Sequence, residues 1–120
     1  MTSIYLDVGI FGKNIVGECG NGDIYSGTGW GRTIIGSYKN GDIYSGVGWG
    51  SKIIGSYKNG EVYSGVGWGK SIVGTYGNGD IYSGVGLFGS TIIGSYDGPD
   101  DGAAAAALLL LLRNENNDVH

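Results

Sequence analysis

The chain has 120 residues, 27 of them glycine, with seven basic against eleven acidic side chains and a formal charge of −4. Charges this sparse and this acidic exclude a phosphate-binding face for nucleic acid, and a single proline without a G-X-Y period excludes collagen. Ile, Val, Tyr and Trp interleaved with the glycines at fixed spacing exclude a disordered linker, because those residues favour strands and bury a core.

The first residues, MTSIYLDVGIFGKN, lack the basic start and apolar run of a secretory leader. With Cys19 the lone cysteine, an intramolecular disulfide is excluded, and a reducing, cytoplasmic setting is expected.

From Ile4 the chain repeats. It reads IYLDVGIFGKNIVGECGNGD, then IYSGTGWGRTIIGSYKNGD from Ile24 and IYSGVGWGSKIIGSYKNGE from Ile43. VYSGVGWGKSIVGTYGNGD follows from Val62 and IYSGVGLFGSTIIGSYDGPD from Ile81. The period is 19, and the end copies carry one extra residue, with Phe11 and Phe88 in place of the tryptophan. Atypical end copies are usual in repeat architectures.

Asn21-Gly22, Asn40-Gly41, Asn59-Gly60 and Asn78-Gly79 each sit between strand-like runs. Asn-Gly accepts the positive φ that a type I′ hairpin turn requires at both central residues. In the fifth copy Asp97-Gly98-Pro99-Asp100 stands there instead, and the proline ends the meander because it cannot donate to a ladder. A second turn is required near Trp-Gly in each copy. Strict alternation along IYSGVGWG would put Ile43, Ser45, Val47 and Trp49 on one face and glycines with Tyr44 on the other. A glycine-lined strand face marks a bend or the close approach of another backbone.

Residues 103–112 read AAAAALLLLL, followed by Arg113. Ala and Leu favour helix. Ten residues reach only about 15 Å, too short for a bilayer core of about 30 Å, so no membrane span is expected. Asp100 and Asp101 are expected to cap and charge the N-terminus, with Arg113 at the negative end. A helix apolar all round must be surrounded. Ten strands about 4.8 Å apart, tilted about 40°, close at a radius of roughly 10 Å, enough for one helix and the inward side chains.

The expected fold is therefore an all-β repeat domain with one helix. Five β-hairpin repeats (ten short antiparallel strands, residues 1–100) are arranged around a hydrophobic C-terminal helix (101–113). Residues 1–113 form a single domain, and 114–120 are expected to be a disordered polar tail. Closure into a barrel and splaying as petals both remain open.

Serial hairpins with Ile-Tyr after each turn and Ile-Gly before it, then AAAAALLLLL, resemble the small bacterial beta-flower proteins. The likeness runs from Ile4 to Leu112 and, with five copies, matches their five-fold form. It implies hairpin petals around a central helix and carries no activity or catalytic residue with it. YKNGDIYSG (Tyr38 to Gly46) also resembles the core of MORN repeats, whose period is longer and which lack the final helix.

No catalytic constellation is expected. SGVGWGKS (Ser64 to Ser71) has Ser64 where a Walker A motif needs its first glycine, and a β-like run follows where the motif needs a helix. The glycines read G-x-G-x-G without a βαβ unit, so they are not a dinucleotide fingerprint. Asp23, Asp42, Glu61, Asp80 and Asp100 occupy one repeat position; spread around a barrel they are flanks of polar turns, and no metal is expected. Cys19 stands where the other copies have Tyr38, Tyr57, Tyr76 and Tyr96, a packing position. His120 has no partner for acid–base work. No cofactor follows, and the chain is read as a non-enzyme.

The aromatics carry the binding potential. Trp30, Trp49 and Trp68 share one repeat position, and Tyr25, Tyr44 and Tyr63 another. They are expected either to cover the turn end of the barrel or to stack on a ligand. The first reading makes the chain a structural or protein-interaction module, with a protein partner or a second copy of itself; the alternative is a carbohydrate-binding, lectin-like repeat protein.

Overall fold

The computed structural model describes residues 1–7, 9, 12–84 and 90–113. Ten strands occupy these residues: β1 Thr2–Asp7, β2 Lys13–Gly20, β3 Asp23–Ser26, β4 Thr33–Lys39 and β5 Asp42–Ser45. They continue with β6 Lys52–Lys58, β7 Glu61–Ser64, β8 Ser71–Gly77, β9 Asp80–Ser83 and β10 Thr91–Asp97. Each pairs antiparallel with its chain neighbour, and β1 pairs with β10, so the meander closes into a barrel. Closure leaves no sheet edge.

The Asn-Gly turns have the expected geometry. Asn21, Asn40, Asn59 and Asn78 lie at φ 51–53° and the following glycines at 85–89°, the paired positive values of a type I′ turn.

Each of β1, β3, β5, β7 and β9 meets its partner through a one-residue bulge. In the second copy Ile24 faces Gly36 while Tyr25 faces Ile34, so Ile35 is extra. Ile34 is exposed on the outer wall, and the bulge leaves the next two residues, Ile35 against the core and Gly36 against the helix, both facing inward.

Strict alternation fails beyond the bulge and at the strand ends. Ile43 is buried, but the strand stops at Ser45, so Val47 and Trp49 belong to a loop and face solvent. The glycines of GVGWG are loop residues, not a strand face. The close approach falls on another series: Gly17, Gly36, Gly55, Gly74 and Gly94, all buried and all opposed to leucines of the central helix.

That helix comprises α1, Asp101–Ala107, and a π-helical turn, Leu108–Leu112, where a continuous α-helix is the sequence expectation. It enters beside the tyrosine level, since a Cβ on Gly102 would meet the Tyr57 ring and lie 2.8 Å from the Tyr76 hydroxyl. Ala103–Ala107 and Ile4, Ile24, Ile43, Val62 and Ile81 form one buried cluster. Large strand side chains thus surround small helix residues, and large leucines fill the space left by strand glycines. Alternating large against small is what fills a core of fixed radius without voids.

Asp100 does not cap the helix through its side chain. Its carboxylate accepts from Thr2 Oγ1 at 3.2 Å while its amide donates to the same hydroxyl at 2.9 Å, tying the helix entrance to β1 at the closure seam. Asp101 instead accepts from the Gly102 amide at 2.6 Å. Arg113 donates to Ser83 Oγ at 3.1 Å. The expected tail, 114–120, lies outside the described residues, as do Phe11 and Phe88.

Candidate functional site

The second connection of the middle copies is a 3₁₀ turn, Gly29–Gly31, Gly48–Gly50 or Gly67–Gly69, centred on the tryptophan. Gly46 and Gly48 sit at φ 88° and 60°, and a Cβ on Gly46 would press on the Gly50 carbonyl at 3.2 Å. Glycine is the residue that enters this left-handed region without steric cost. Nothing lies within 4 Å of a Cβ placed on Gly48 or Gly50, so these loops stand clear of the barrel.

The tryptophans do not cover the turn end. Trp30, Trp49 and Trp68 have relative exposures of 107%, 106% and 105%. Val47 and Val66, two residues before Trp49 and Trp68, are exposed as well. Tyr25, Tyr44 and Tyr63 lie elsewhere, half-buried in β3, β5 and β7 opposite the outer-wall residues Ile34, Ile53 and Ile72. Arg32 stacks on Tyr25 at 4.1 Å and Lys70 on Tyr63 at 4.9 Å, cation–π contacts that occupy those ring faces. Tyr63 also donates to Glu61 at 2.6 Å, and donating to that carboxylate makes its phenol harder to ionise. The two aromatic series therefore belong to different surfaces, loop and wall.

Where a loop leaves the barrel it forms one side of a groove whose floor is the preceding repeat. Asp42, Ile53 and Ser56 line one such groove, closed by Val66 and Lys70 of the next loop, with a volume of about 140 Å³. Asp23, Ile34 and Ser37 line the equivalent groove one repeat earlier with Val47 and Ser51, at about 270 Å³. Asp80, Ile92 and Ser95 do the same at the seam with Asp7 and Lys13, at about 390 Å³. The register explains the recurrence: Asp42 faces Ser56, Asp23 faces Ser37 and Asp80 faces Ser95 across each bulged pair. Ser95 Oγ is buried with no hydrogen-bond partner, an exception among buried hydroxyls. In the first two copies Glu18 stands at the serine's repeat position and Arg32 at the lysine's, and the two are joined by a 3.0 Å salt bridge.

Asp23, Asp42 and Asp80 thus flank the turns and also reach these grooves, a role the sequence alone did not disclose. Among the described residues no three His, Cys, Asp or Glu side chains gather to hold a metal ion. Lys70 and Ser71 lead into β8, so a strand follows the Walker-like stretch. Cys19 is fully buried, and burial above all, then the nearby Asp100 carboxylate, pushes its thiol up to about 12. A buried thiol held protonated packs as a small apolar group. No described helix is long and apolar enough to cross a membrane.

The fold and its loops define a five-repeat antiparallel barrel with a helix in its lumen and an aromatic loop series at one end. No family model, no curated protein and no solved structure matches the chain.

Proposed function

We propose that the chain is a non-catalytic structural or interaction module that meets its partner through the tryptophan loops and the grooves beside them. The observation that carries this reading is the exposure of all three tryptophans on recurrent loops. An indole in water forgoes the burial that an aromatic of its size, about 150–250 Å² of surface, ordinarily contributes. Three of them at one repeat position form an exposed apolar series, the kind of surface that marks interaction sites. On the same reading the protein works in a reducing, cytoplasmic setting, which the buried free thiol of Cys19 supports, and it is proposed as a five-fold member of the beta-flower group.

The test compares the wild-type chain with the Trp30→Ala/Trp49→Ala/Trp68→Ala variant in affinity capture and in sedimentation velocity. Capture of a partner, or self-association, that the variant loses at unchanged melting temperature supports the proposal. Association identical in both proteins overturns it.

A further inference from the structure

We infer that the recurrent wall grooves are ligand sites for a neutral polyhydroxylated molecule, a saccharide unit, taken up at several repeats at once. This rests on the reading above, in which the loops are the working surface, and names the partner's chemistry.

The lining selects the ligand class. Each groove offers a carboxylate that only accepts hydrogen bonds and a serine hydroxyl that does both; two of the three add a lysine that only donates. Asp42 with Lys70, or Asp80 and Asp7 with Lys13, disfavours a bare anion and a bare cation alike, because one charge of either groove is repelled. A wholly apolar ligand would strip water from these groups without pairing them. A ring bearing several hydroxyls donates to the carboxylate, accepts from the lysine and exchanges with the serine, while its C–H face lies on Ile53 and Val66. Ser95 Oγ, buried and without a partner, stands among the residues that line the seam groove.

The tryptophans follow the groove lining in the chain without lining it themselves. Gly48 and Gly67, which line two of the grooves, directly precede Trp49 and Trp68. A flat amphipathic indole beside a polar pocket is the pairing that holds a sugar ring by its face and its edge together. Repetition multiplies the effect, since a branched glycan engaging a second groove does so intramolecularly. At the corresponding positions of the first two copies the charges of Glu18 and Arg32 pair with each other at 3.0 Å.

The experiment applies the whole labelled chain to an array of neutral glycans and titrates free hexoses while following backbone amide shifts. The variants are Asp42→Asn, Ser56→Ala and the triple Asp23→Asn/Asp42→Asn/Asp80→Asn; thermal unfolding confirms that each folds. Saturable glycan binding is expected, with shifts at Ser37, Ser56 and Ser95, and with little change as salt is raised, since a neutral ligand releases no counterions. Asp42→Asn should weaken array binding by about tenfold and the triple variant by more than about a hundredfold. Absence of glycan binding, or binding that the triple variant keeps, overturns the inference. If tryptophan-dependent capture or self-association persists without glycan binding, the saccharide is wrong and the interaction module stands. If that association is also absent, both fall.

Discussion

Replacing Gly55 by alanine isolates what holds the helix inside the barrel. A Cβ there falls against the Tyr63 carbonyl oxygen and lies 2.7 Å from Leu110 Cδ1. The carbonyl belongs to the paired strand β7, so it yields only if the bulged ladder opens, and the leucine yields only by moving the helix. Inserting a methyl into a packed core costs about 1–3 kcal/mol when side chains alone adjust. Here a backbone atom must move as well, which places the expected loss at about 3 kcal/mol or more. For a chain of this length that lowers the melting temperature by roughly 10 °C. Gly77→Ala is the control: it lies in strand β8, its φ is not positive, and nothing stands within 4 Å of its Cβ. It should be neutral or slightly stabilising, because alanine restricts the unfolded chain. Denaturant unfolding monitored by far-ultraviolet circular dichroism gives both values. Adding Leu110→Ala to Gly55→Ala should recover only part of the loss, because the carbonyl contact remains. Equal stability of the Gly55 and Gly77 variants would refute the account of a glycine-lined lumen.

Four further outcomes follow from the same geometry. Ala105→Leu, at a fully buried position of α1, should cost about 3 kcal/mol or more by overpacking, read as a lowered denaturant midpoint. Asn59→Ala, at φ 51°, should cost about 1 kcal/mol and Asn59→Gly almost nothing, since only the former sets a Cβ in the left-handed region without a local hydrogen bond. Stability should fall on the alkaline side: burial pushes Cys19 from 9.0 to about 12, and burial with the neighbouring Tyr38 and Tyr76 phenols pushes Tyr57 from 10.0 to about 12. Both groups bind protons more tightly when folded, so their contribution is complete below pH 9 and is lost as pH climbs through 12; melting temperatures measured from pH 7 to 11 should show the decline begin above 9. Indole emission should be that of tryptophan in water and fully open to acrylamide, and a blue-shifted, unquenched spectrum would contradict the loop geometry.

Much of this was legible in the sequence, and the gaps have physical causes. Asn-Gly at a period of 19 located four of the barrel's turns, because positive φ at two successive residues is a demand few dipeptides meet. The all-round apolar run after Asp101 declared that it had to be enclosed. Alternation misled at Val47-Gly48-Trp49, where glycines in left-handed conformation end the strand early, and nothing in the run Ile34-Ile35-Gly36 announced the bulge that leaves Ile35 and Gly36 both facing inward. The glycine before Ser37, Ser56 and Ser95 read as an ordinary strand residue, since nothing local says that a leucine of the C-terminal helix will fill its place. The wall grooves join Asp42 to Ser56 and to Lys70, and that adjacency exists only once the register of two hairpins is known.

The π-helical turn has the same origin. Leu108 packs against Gly94, Leu109 against Gly74, Leu110 against Gly55, Leu111 against Gly36 and Leu112 against Gly17. Five consecutive leucines thus address five consecutive repeats in descending order. Five-fold placement asks for about 72° of rotation per residue. An α-helix turns about 100° per residue and over four steps would overrun by more than one repeat's sector. A helix with i→i+5 bonds turns roughly 82° per residue and overruns by about half a sector, which flexible leucine rotamers absorb. The Arg113 amide bonding to the Leu108 carbonyl is that wider ladder. Nothing in a run of identical leucines prefers the rarer helix, so its source is the barrel: each glycine admits one leucine, and the backbone unwinds until every repeat has one. The alanines before them need no such phasing, because a methyl is nearly the same in all directions to a ring of isoleucines, and there the helix stays α. A sixth hairpin would therefore call for a sixth leucine and a still wider turn, which ties the length of the leucine run to the number of repeats.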